Sequence, residues 1–266
     1  MMDVFGYIAS VFIGISLGII GGGGSILTVP VLVYLFSIDA ALATVYSLFI
    51  VGMTSLAGSV SYFKKGLINL KTALVFGIPS IAAVFLTRTY VVTAIPDEIF
   101  SLGNFIITKN ILLMLVFAVM MLFASFSMIK KCRGEDCFPS ENHIIKNSAV
   151  IFQGVFVGFV TGLIGAGGGF LIIPALVNLL KLDIKKAIGT SLFIIALNSL
   201  FGFVVSLSHS EIDWIFILKI LGLAIFGVFI GSRLSSKMDG KKLKPAFGWF
   251  VLVMGVYILI KEIFFQ

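Results

Sequence analysis

The chain contains two copies of one sequence unit. The stretch from Gly18 to Gly66 aligns without a gap with the stretch from Gly162 to Ser210, and 20 of the 49 aligned positions are identical. In each copy a run of glycines is followed by a proline, Pro30 in the first and Pro174 in the second. Many membrane carriers consist of two copies of one unit around a central binding site. A repeat of this kind in a strongly apolar chain therefore indicates a transporter.

The composition indicates a membrane protein. Charged residues make up 12% of the chain, against about 25% in a typical soluble domain, and the mean hydropathy is +1.17. The apolar segments are residues 4–20, 25–36, 41–63, 71–95, 110–129, 147–164, 169–180, 186–207, 214–232 and 246–260. They leave no room for a separate soluble domain. We therefore predict an all-α polytopic membrane protein, with residues 1–266 forming one transmembrane domain in the lipid bilayer.

Two of these segments, residues 25–36 and 169–180, are too short to cross a membrane. Twelve helical residues span about 18 Å, whereas the hydrocarbon core is about 30 Å thick. Each short segment follows a glycine run, which predicts a re-entrant hairpin: one helix descends, the glycines turn the chain at depth, and a half-helix returns. Such non-helical backbone is tolerated in a membrane where protein buries it or where it lines a cavity.

The basic residues predict how the chain is oriented. Lys and Arg concentrate in the loops near residues 64–71, 130–146, 181–186 and 233–244, which we place in the cytoplasm. The alternate loops are poor in Lys and Arg and would lie outside. Because most of the +7 formal charge lies between spans, it reports topology, and we expect no nucleic-acid partner.

Equivalent loops in the two copies carry opposite charge bias. The basic residues 64–66 align with residues 208–210, and residues 37–42 align with the basic residues 181–186. This predicts two inverted-topology repeats, each with one re-entrant hairpin and about three transmembrane helices. Repeat one covers residues 1–130, a cytoplasmic linker covers 131–146, and repeat two covers 147–266.

The glycine runs are the predicted substrate site. The first N–H groups of a helix have no intrahelical partner, and the helix dipole adds a partial positive charge, so an anion is the natural occupant. Glycine permits positive φ and lets a ligand approach the backbone. The predicted site residues of the runs are Gly22, Gly23, Gly24 and Ser25, and Gly167, Gly168 and Gly169.

Other glycines fit close helix packing better than ligand binding. Gly14 and Gly18, and likewise Gly154, Gly158 and Gly162, recur at every fourth position, which is typical of packing faces. Packing could also explain the runs themselves. However, consecutive glycines destabilise a helix by about 1 kcal/mol each, and packing does not require several together, so we favour a binding role for the runs.

Polar residues on the long helices after the half-helices complete the predicted site. We include Ser47, its aligned partner Ser191, and the neighbouring Thr190 and Asn198, because hydroxyls and amides can donate to an oxyanion. Hydrogen bonding between helices is an equally good explanation at this stage. Ser55 and Ser199 form a second aligned pair, and Asp39 and Asp183 are predicted helix N-caps.

Ionisable residues are scarce within the predicted spans. Arg88 and Lys219 are the clear cases, and we interpret both as reaching the outer membrane interface, with anion guidance in an outer vestibule as the alternative. No Asp, Glu or His lies within a span, so we predict no metal site, no cofactor and no side-chain proton relay. Cys132 and Cys137 share one charged loop and are predicted to be reduced thiols.

Several motifs resemble those of the sulfite exporter TauE/SafE family of membrane permeases. They are the paired G-x-x-G-x-G-G-G-like runs, the proline that follows each, the A-x-x-T-S-L-like stretch at Ala187–Leu192, and the Gly-x-x-x-Gly-x-Arg turn at residues 227–233. The resemblance covers nearly the whole chain. It implies transport of sulfite, sulfonates or related organosulfur anions, usually outward, across the bacterial inner membrane. The first half departs from the pattern, since Ser25 stands where Gly169 stands.

These observations predict a secondary transporter of a small anion, sulfite or an organosulfonate, with a midplane site between two half-helix N-termini and alternating access. The alternatives are an anion channel of the same fold and, more remotely, an intramembrane enzyme, for which we find no nucleophile with a basic partner at depth. We therefore predict no enzymatic activity and no ATP use, because the glycine runs lack a Walker A lysine. The sequence does not decide the oligomeric state.

Overall fold

The computed structural model describes residues 2–20, 22–96, 98–102, 105–129, 147–165, 167–178, 182, 184–207, 212–235 and 240–264. The α-helices are α1 (Met2–Ile20), α2 (Thr28–Tyr34), α3 (Ala40–Lys64), α4 (Leu70–Leu86), α5 (Val92–Ala94), α6 (Lys109–Ile129), α7 (Asn147–Ile164), α8 (Gly169–Asn178), α9 (Ile184–Ser206), α10 (Trp214–Ser235) and α11 (Gly240–Phe264). A 3-10 helix, Gly22–Leu27, precedes α2, and a π-helix, Thr87–Val91, joins α4 to α5.

Among the described residues, five helical stretches are long and apolar enough to cross a membrane. They are Ala40–Lys64, Leu70–Ala94, Lys109–Phe126, Lys185–Ser206 and Trp214–Leu234. Large apolar side chains such as Phe123, Phe152 and Ile215 are also exposed, as expected for surfaces that face lipid. The prediction of a helical, multi-pass membrane protein is therefore confirmed.

Four helix pairs make the most extensive contacts: α1 with α10, α4 with α7, α3 with α9, and α6 with α11. Each pair joins a helix of repeat one, residues 1–130, to a helix of repeat two, residues 147–266. The long helices of each repeat therefore pack mainly against helices of the other repeat.

Glycines bring the α1–α10 and α4–α7 pairs into backbone contact. A Cβ placed on Gly14 would meet the carbonyl oxygen of Ala224, and one placed on Gly158 would meet the carbonyl oxygen of Ser80. At Gly154 it would lie 2.6 Å from the carbonyl oxygen of Phe76. The predicted packing role of these glycines is confirmed, because a larger side chain would force the helices apart.

The helices α3 and α9 form the centre of the fold. The most apolar windows of their spans are 67% and 61% buried, compared with 39% for each of the other three candidate spans. Polar groups on α3 and α9 are therefore enclosed by protein, which makes this pair the place to look for a binding site.

The connection before α6 differs from the predicted loop. Two short antiparallel strands, β1 (Glu98–Leu102) and β2 (Phe105–Thr108), pair there with Glu98 opposite Thr108 and Leu102 opposite Phe105. The strands are rich in β-branched and aromatic residues, which favour this conformation. The purely helical prediction is thus corrected by one small hairpin.

Helix caps fix the ends of two central elements. Asp39 accepts a hydrogen bond from the Ala41 N–H at 3.2 Å and caps α3, as predicted, and Asn69 accepts from the Thr72 N–H at 3.1 Å and caps α4. The predicted cap Asp183 and the thiols Cys132 and Cys137 lie outside the described residues.

Candidate functional site

The second glycine run forms a sharp turn between α7 and α8. Gly165, Gly167 and Gly168 have φ values of 72°, 69° and 66°, in the left-handed region that favours glycine. The Gly165 N–H bonds to the Thr161 carbonyl at 2.9 Å, which closes the end of α7. The Gly168 carbonyl accepts from the Leu171 N–H at 2.9 Å and so begins α8. The turn therefore ends one helix and starts the next within a few residues.

Side chains from three helices surround this turn closely. A Cβ on Gly167 would lie 2.7 Å from Val51 Cγ1 on α3 and 2.9 Å from Ser199 Oγ on α9. A Cβ on Gly168 would meet Thr161 Oγ1 on α7. The hydroxyl groups of Thr161 and Ser199 thus lie directly against the glycine backbone at the N-terminus of α8.

The first glycine run adopts a different conformation. Gly22, Gly23, Gly24 and Ser25 belong to the 3-10 helix Gly22–Leu27, and the half-helix α2 starts only at Thr28 and has seven residues. Residues Ser25–Tyr34 form a short apolar helix near the predicted start at Ser25, but its first turn is 3-10 and regular α-helix begins at Thr28. Helix α1 contacts both this 3-10 helix and α2, so α1 and α2 pack against each other and do not form one straight helix.

The two glycine-rich segments are nevertheless neighbours in space. The 3-10 helix Gly22–Leu27 packs against α8 as well as against α1 and α9. Ser25 and Gly169, the aligned residues of the two runs, are both buried. The first run therefore lies next to the half-helix α8 that follows the second run, and beside α3 and α9.

Several polar atoms around these segments are buried without a hydrogen-bond partner among the described residues. They are the hydroxyl oxygens of Thr28, Ser47, Ser55, Thr161 and Ser199, and Oδ1 of Asn198. Each residue is at most 1% exposed. Leaving a buried polar group unpaired costs about 1–3 kcal/mol, so a group of them indicates a place where a ligand or water completes the bonding.

The four predicted polar residues divide into two kinds. Ser47 has an unpartnered hydroxyl, and Asn198 donates through Nδ2 to Ser80 Oγ at 2.7 Å while its Oδ1 has no partner. Thr190 and Ser191 are used within the protein. The Thr190 hydroxyl accepts from the Asn69 N–H at 3.0 Å, and Ser191 donates to the Ile188 carbonyl at 2.8 Å.

Sequence reasoning left Thr161, Thr28 and Ser199 out of the site. Thr161 aligns with Leu17 and Thr28 aligns with Ile172, so a search for polar residues shared by both copies could not find them. Ser199 aligns with Ser55, so a search for polar residues shared by the two copies could have included it. Its contact with Gly167, however, depends on how α9 packs against the turn.

Arg88 is the other correction. It lies in the π-helix Thr87–Val91 and is 5% exposed, and its Nε and Nη2 have no hydrogen-bond partner among the described residues. The interpretation that Arg88 extends to the membrane interface is wrong, because the side chain is enclosed by the protein. Lys219 on α10 is exposed, and its extension to the outer interface stays a prediction.

In the part of the chain that the structure describes, no group of three or more His, Cys, Asp or Glu side chains could hold a metal ion. The groups available to a ligand near the glycine turns are hydroxyls, an amide and backbone. Hydroxyl and backbone N–H donors are suited to binding an anion.

Comparison with known proteins gives one consistent result. The model of the family described as sulfite exporter TauE/SafE matches residues 7–258. A probable membrane transporter protein of Bacillus subtilis, YunE, is 27% identical, covering 92% of this chain and 93% of the relative. A probable membrane transporter protein of Xylella fastidiosa is 28% identical, covering 93% of this chain and 91% of the relative. Another, of Methanocaldococcus jannaschii, is 26% identical and covers 94% of each chain. No solved structure gives a significant match.

Proposed function

Since this chain belongs to the sulfite exporter TauE/SafE family, we propose that it is a secondary transporter of a small sulfur oxyanion, sulfite or an organosulfonate. Export across the inner membrane of a bacterial cell is the favoured direction. The observation that carries the proposal is the glycine turn between α7 and α8, with the unpartnered hydroxyls of Thr161 and Ser199 against its backbone.

The chemistry of this turn suits a transported anion. The N-terminus of α8 contributes the positive end of a ten-residue helix dipole, and hydroxyl groups can turn their hydrogens toward an oxyanion. These donors are neutral, so binding would be weak enough for release on the other side of the membrane. The hydroxyls of Ser47 and Ser55 would complete the bonding of the anion, and Asn198 Oδ1, an acceptor, would bond to its water.

Alternating access around the two glycine-rich segments is the proposed mechanism. An inverted repeat would allow it, because exchanging the conformations of the two halves moves the access path from one side to the other. The packing of α1 against α10 and of α7 against α4 supports this arrangement, since the first helix of each repeat contacts the third long helix of the other.

The membrane potential is a sufficient driving force for export. An inside-negative potential of about 100 mV contributes about 2.3 kcal/mol per negative charge moved outward. This corresponds to a concentration ratio of roughly 50 at equilibrium, without a coupled ion.

Proteoliposomes containing the purified full-length protein would test the proposal. Initial rates are measured for labelled sulfite, methanesulfonate and acetate, with and without an imposed potential. We expect saturable transport of the sulfur oxyanions, exclusion of acetate, and a rate that follows the potential. Flux that rises linearly with concentration would indicate a channel, and no flux of either sulfur anion would refute the proposed substrate class.

A further inference from the structure

Arg88 occupies an irregular segment at the end of a long helix. The candidate span Leu70–Ala94 is α-helical except for the π-helix Thr87–Val91, in which Arg88 is the second residue. A π-helical turn widens the backbone and is less stable than an α-helix, and such turns occur often at functional sites. The irregularity thus coincides with the one buried cation among the described residues.

The burial of Arg88 is unfavourable unless something pairs with it. Its side chain is 5% exposed, and Nε and Nη2 have no hydrogen-bond partner in the part of the chain that the structure describes. Removing a charge from water without a partner is strongly unfavourable, and more so in a protein that lies within a bilayer. An anionic group that reaches Arg88 would remove this penalty.

The two unpartnered nitrogens define the shape of the missing group. The N–H bonds of Nε and Nη2 lie along one edge of the planar guanidinium and point in nearly the same direction. Together they form a fork that matches two oxygens of one oxyanion. A chloride ion or a single carbonyl oxygen would use this geometry less well.

The π-helix also lies beside the helix that leads into the second glycine turn. It packs against both α7 and α9. A Cβ placed on Gly162 would lie 2.7 Å from Thr87 Cβ, so the residue before Arg88 touches α7 next to Thr161 and three residues before Gly165. Arg88 therefore belongs to the same region of the fold as the turn and its unpartnered hydroxyls.

We propose that Arg88 binds the oxyanion group of the transported substrate through Nε and Nη2, beside the glycine turn between α7 and α8. This inference rests on the proposed transport function and adds a charged, specificity-determining residue to a site otherwise made of neutral donors. The ligand class is an oxyanion that presents two oxygens on one face, such as a sulfonate or sulfite. Binding through this fork would make the transporter prefer such oxyanions to halides.

The test measures binding separately from transport. Sulfite, methanesulfonate and chloride are titrated by calorimetry into purified full-length protein, for the wild type and for Arg88→Gln, Arg88→Lys and Lys219→Gln. We expect Arg88→Gln to weaken oxyanion binding by about 10- to 100-fold, the range for a lost charged hydrogen bond. Arg88→Lys keeps the charge without the fork, so it should give an intermediate loss and a reduced preference for oxyanions over chloride.

Lys219→Gln is the matched control, because it removes an equal charge from an exposed position on α10. We expect its affinities to stay within about twofold of the wild type, since α10 packs mainly against α1 and α3, whereas the π-helix of Arg88 packs against α4, α7 and α9. Equal weakening by Arg88→Gln and Lys219→Gln would overturn the inference, because a general field effect would then explain both.

Two further outcomes separate the inference from the function it rests on. If the wild type binds and transports sulfite while Arg88→Gln binds it equally well, Arg88 is not a ligand and the transport proposal stands. If the wild type neither binds nor transports any sulfur oxyanion, both proposals fail. Should Arg88→Gln fail to fold, as judged by gel filtration, Arg88→Lys decides: wild-type affinity and unchanged preference over chloride would overturn the inference.

Discussion

The two glycine-rich segments start from similar sequences and adopt different backbones. The second makes a turn with three glycines at positive φ and leads into the ten-residue helix α8. The first continues as the 3-10 helix Gly22–Leu27 into the seven-residue α2, and none of its described glycines has positive φ. Duplication of a sequence therefore does not guarantee duplication of a backbone conformation, and of the two segments the second has the turn with positive-φ glycines.

The largest effect we expect comes from a side chain in the second turn. Gly168→Ala should abolish transport, because an L-residue at φ 66° is strained by about 1–2 kcal/mol and its Cβ would meet Thr161 Oγ1. The aligned variant Gly24→Ala lies in a 3-10 helix, where alanine is accepted, and should keep at least about half of the wild-type rate.

Initial rates of sulfite transport, normalised to the amount of inserted protein, measure this comparison. Equal loss in the two variants would mean that the segments are functionally equivalent despite their different backbones. Full activity of Gly168→Ala would remove the second turn from the site.

A smaller effect is expected from single hydroxyls. Ser199→Ala should raise the KM for sulfite about fivefold, which corresponds to one hydrogen bond of about 1 kcal/mol. The aligned Ser55→Ala should change the KM less if the site is centred on the second turn. The KM is obtained from concentration-dependent uptake into proteoliposomes.

Ser206→Ala is the control on the same helix as Ser199. The Ser206 hydroxyl already donates to the Gly202 carbonyl at 2.8 Å, so its removal should leave the KM unchanged. A larger effect from Ser55→Ala than from Ser199→Ala would move the binding site toward the first segment and reverse the comparison.

The smallest effect concerns the far end of α2. Tyr34 donates to Glu262 Oε1 at 2.7 Å, and Lys261 Nζ lies 3.8 Å from the centre of its ring. These residues line a pocket of about 420 Å³ that also includes Asp39 and Asn110. Tyr34→Phe should lower the unfolding free energy by about 1 kcal/mol and leave the transport rate unchanged, as measured by thermal denaturation and uptake. A large loss of transport would show that this end of α2 takes part in the transport cycle.

Local sequence information predicted the helices well. The segments 41–63 and 147–164 correspond to α3 (Ala40–Lys64) and α7 (Asn147–Ile164), because hydropathy defines a span and a cap such as Asp39 marks its start. The hairpin at Glu98–Thr108 also had a signal, since apolar β-formers flank Gly103-Asn104.

The remaining features depend on contacts between distant parts of the chain. Arg88 is enclosed because its helix packs against α7 and α9, which hydropathy alone does not report. The Thr190 hydroxyl accepts a hydrogen bond from the Asn69 N–H, which is 121 residues away in sequence, and local pattern does not report such a contact. Similarly, the conformation of Gly22–Leu27 could not be read from a glycine run that also permits a turn.

The packing of α1 against α10 has a consequence for synthesis of the chain. The glycine face of α1 meets its partner only at residues such as Ala224 and Val228, about 200 positions later. At translation rates of about 5–20 residues per second, α1 waits roughly 10–40 s before that partner exists. The first helix made is thus among the last to reach its final contacts, and during that interval its close-packing surface is available to lipids, to the insertion machinery or to another nascent chain.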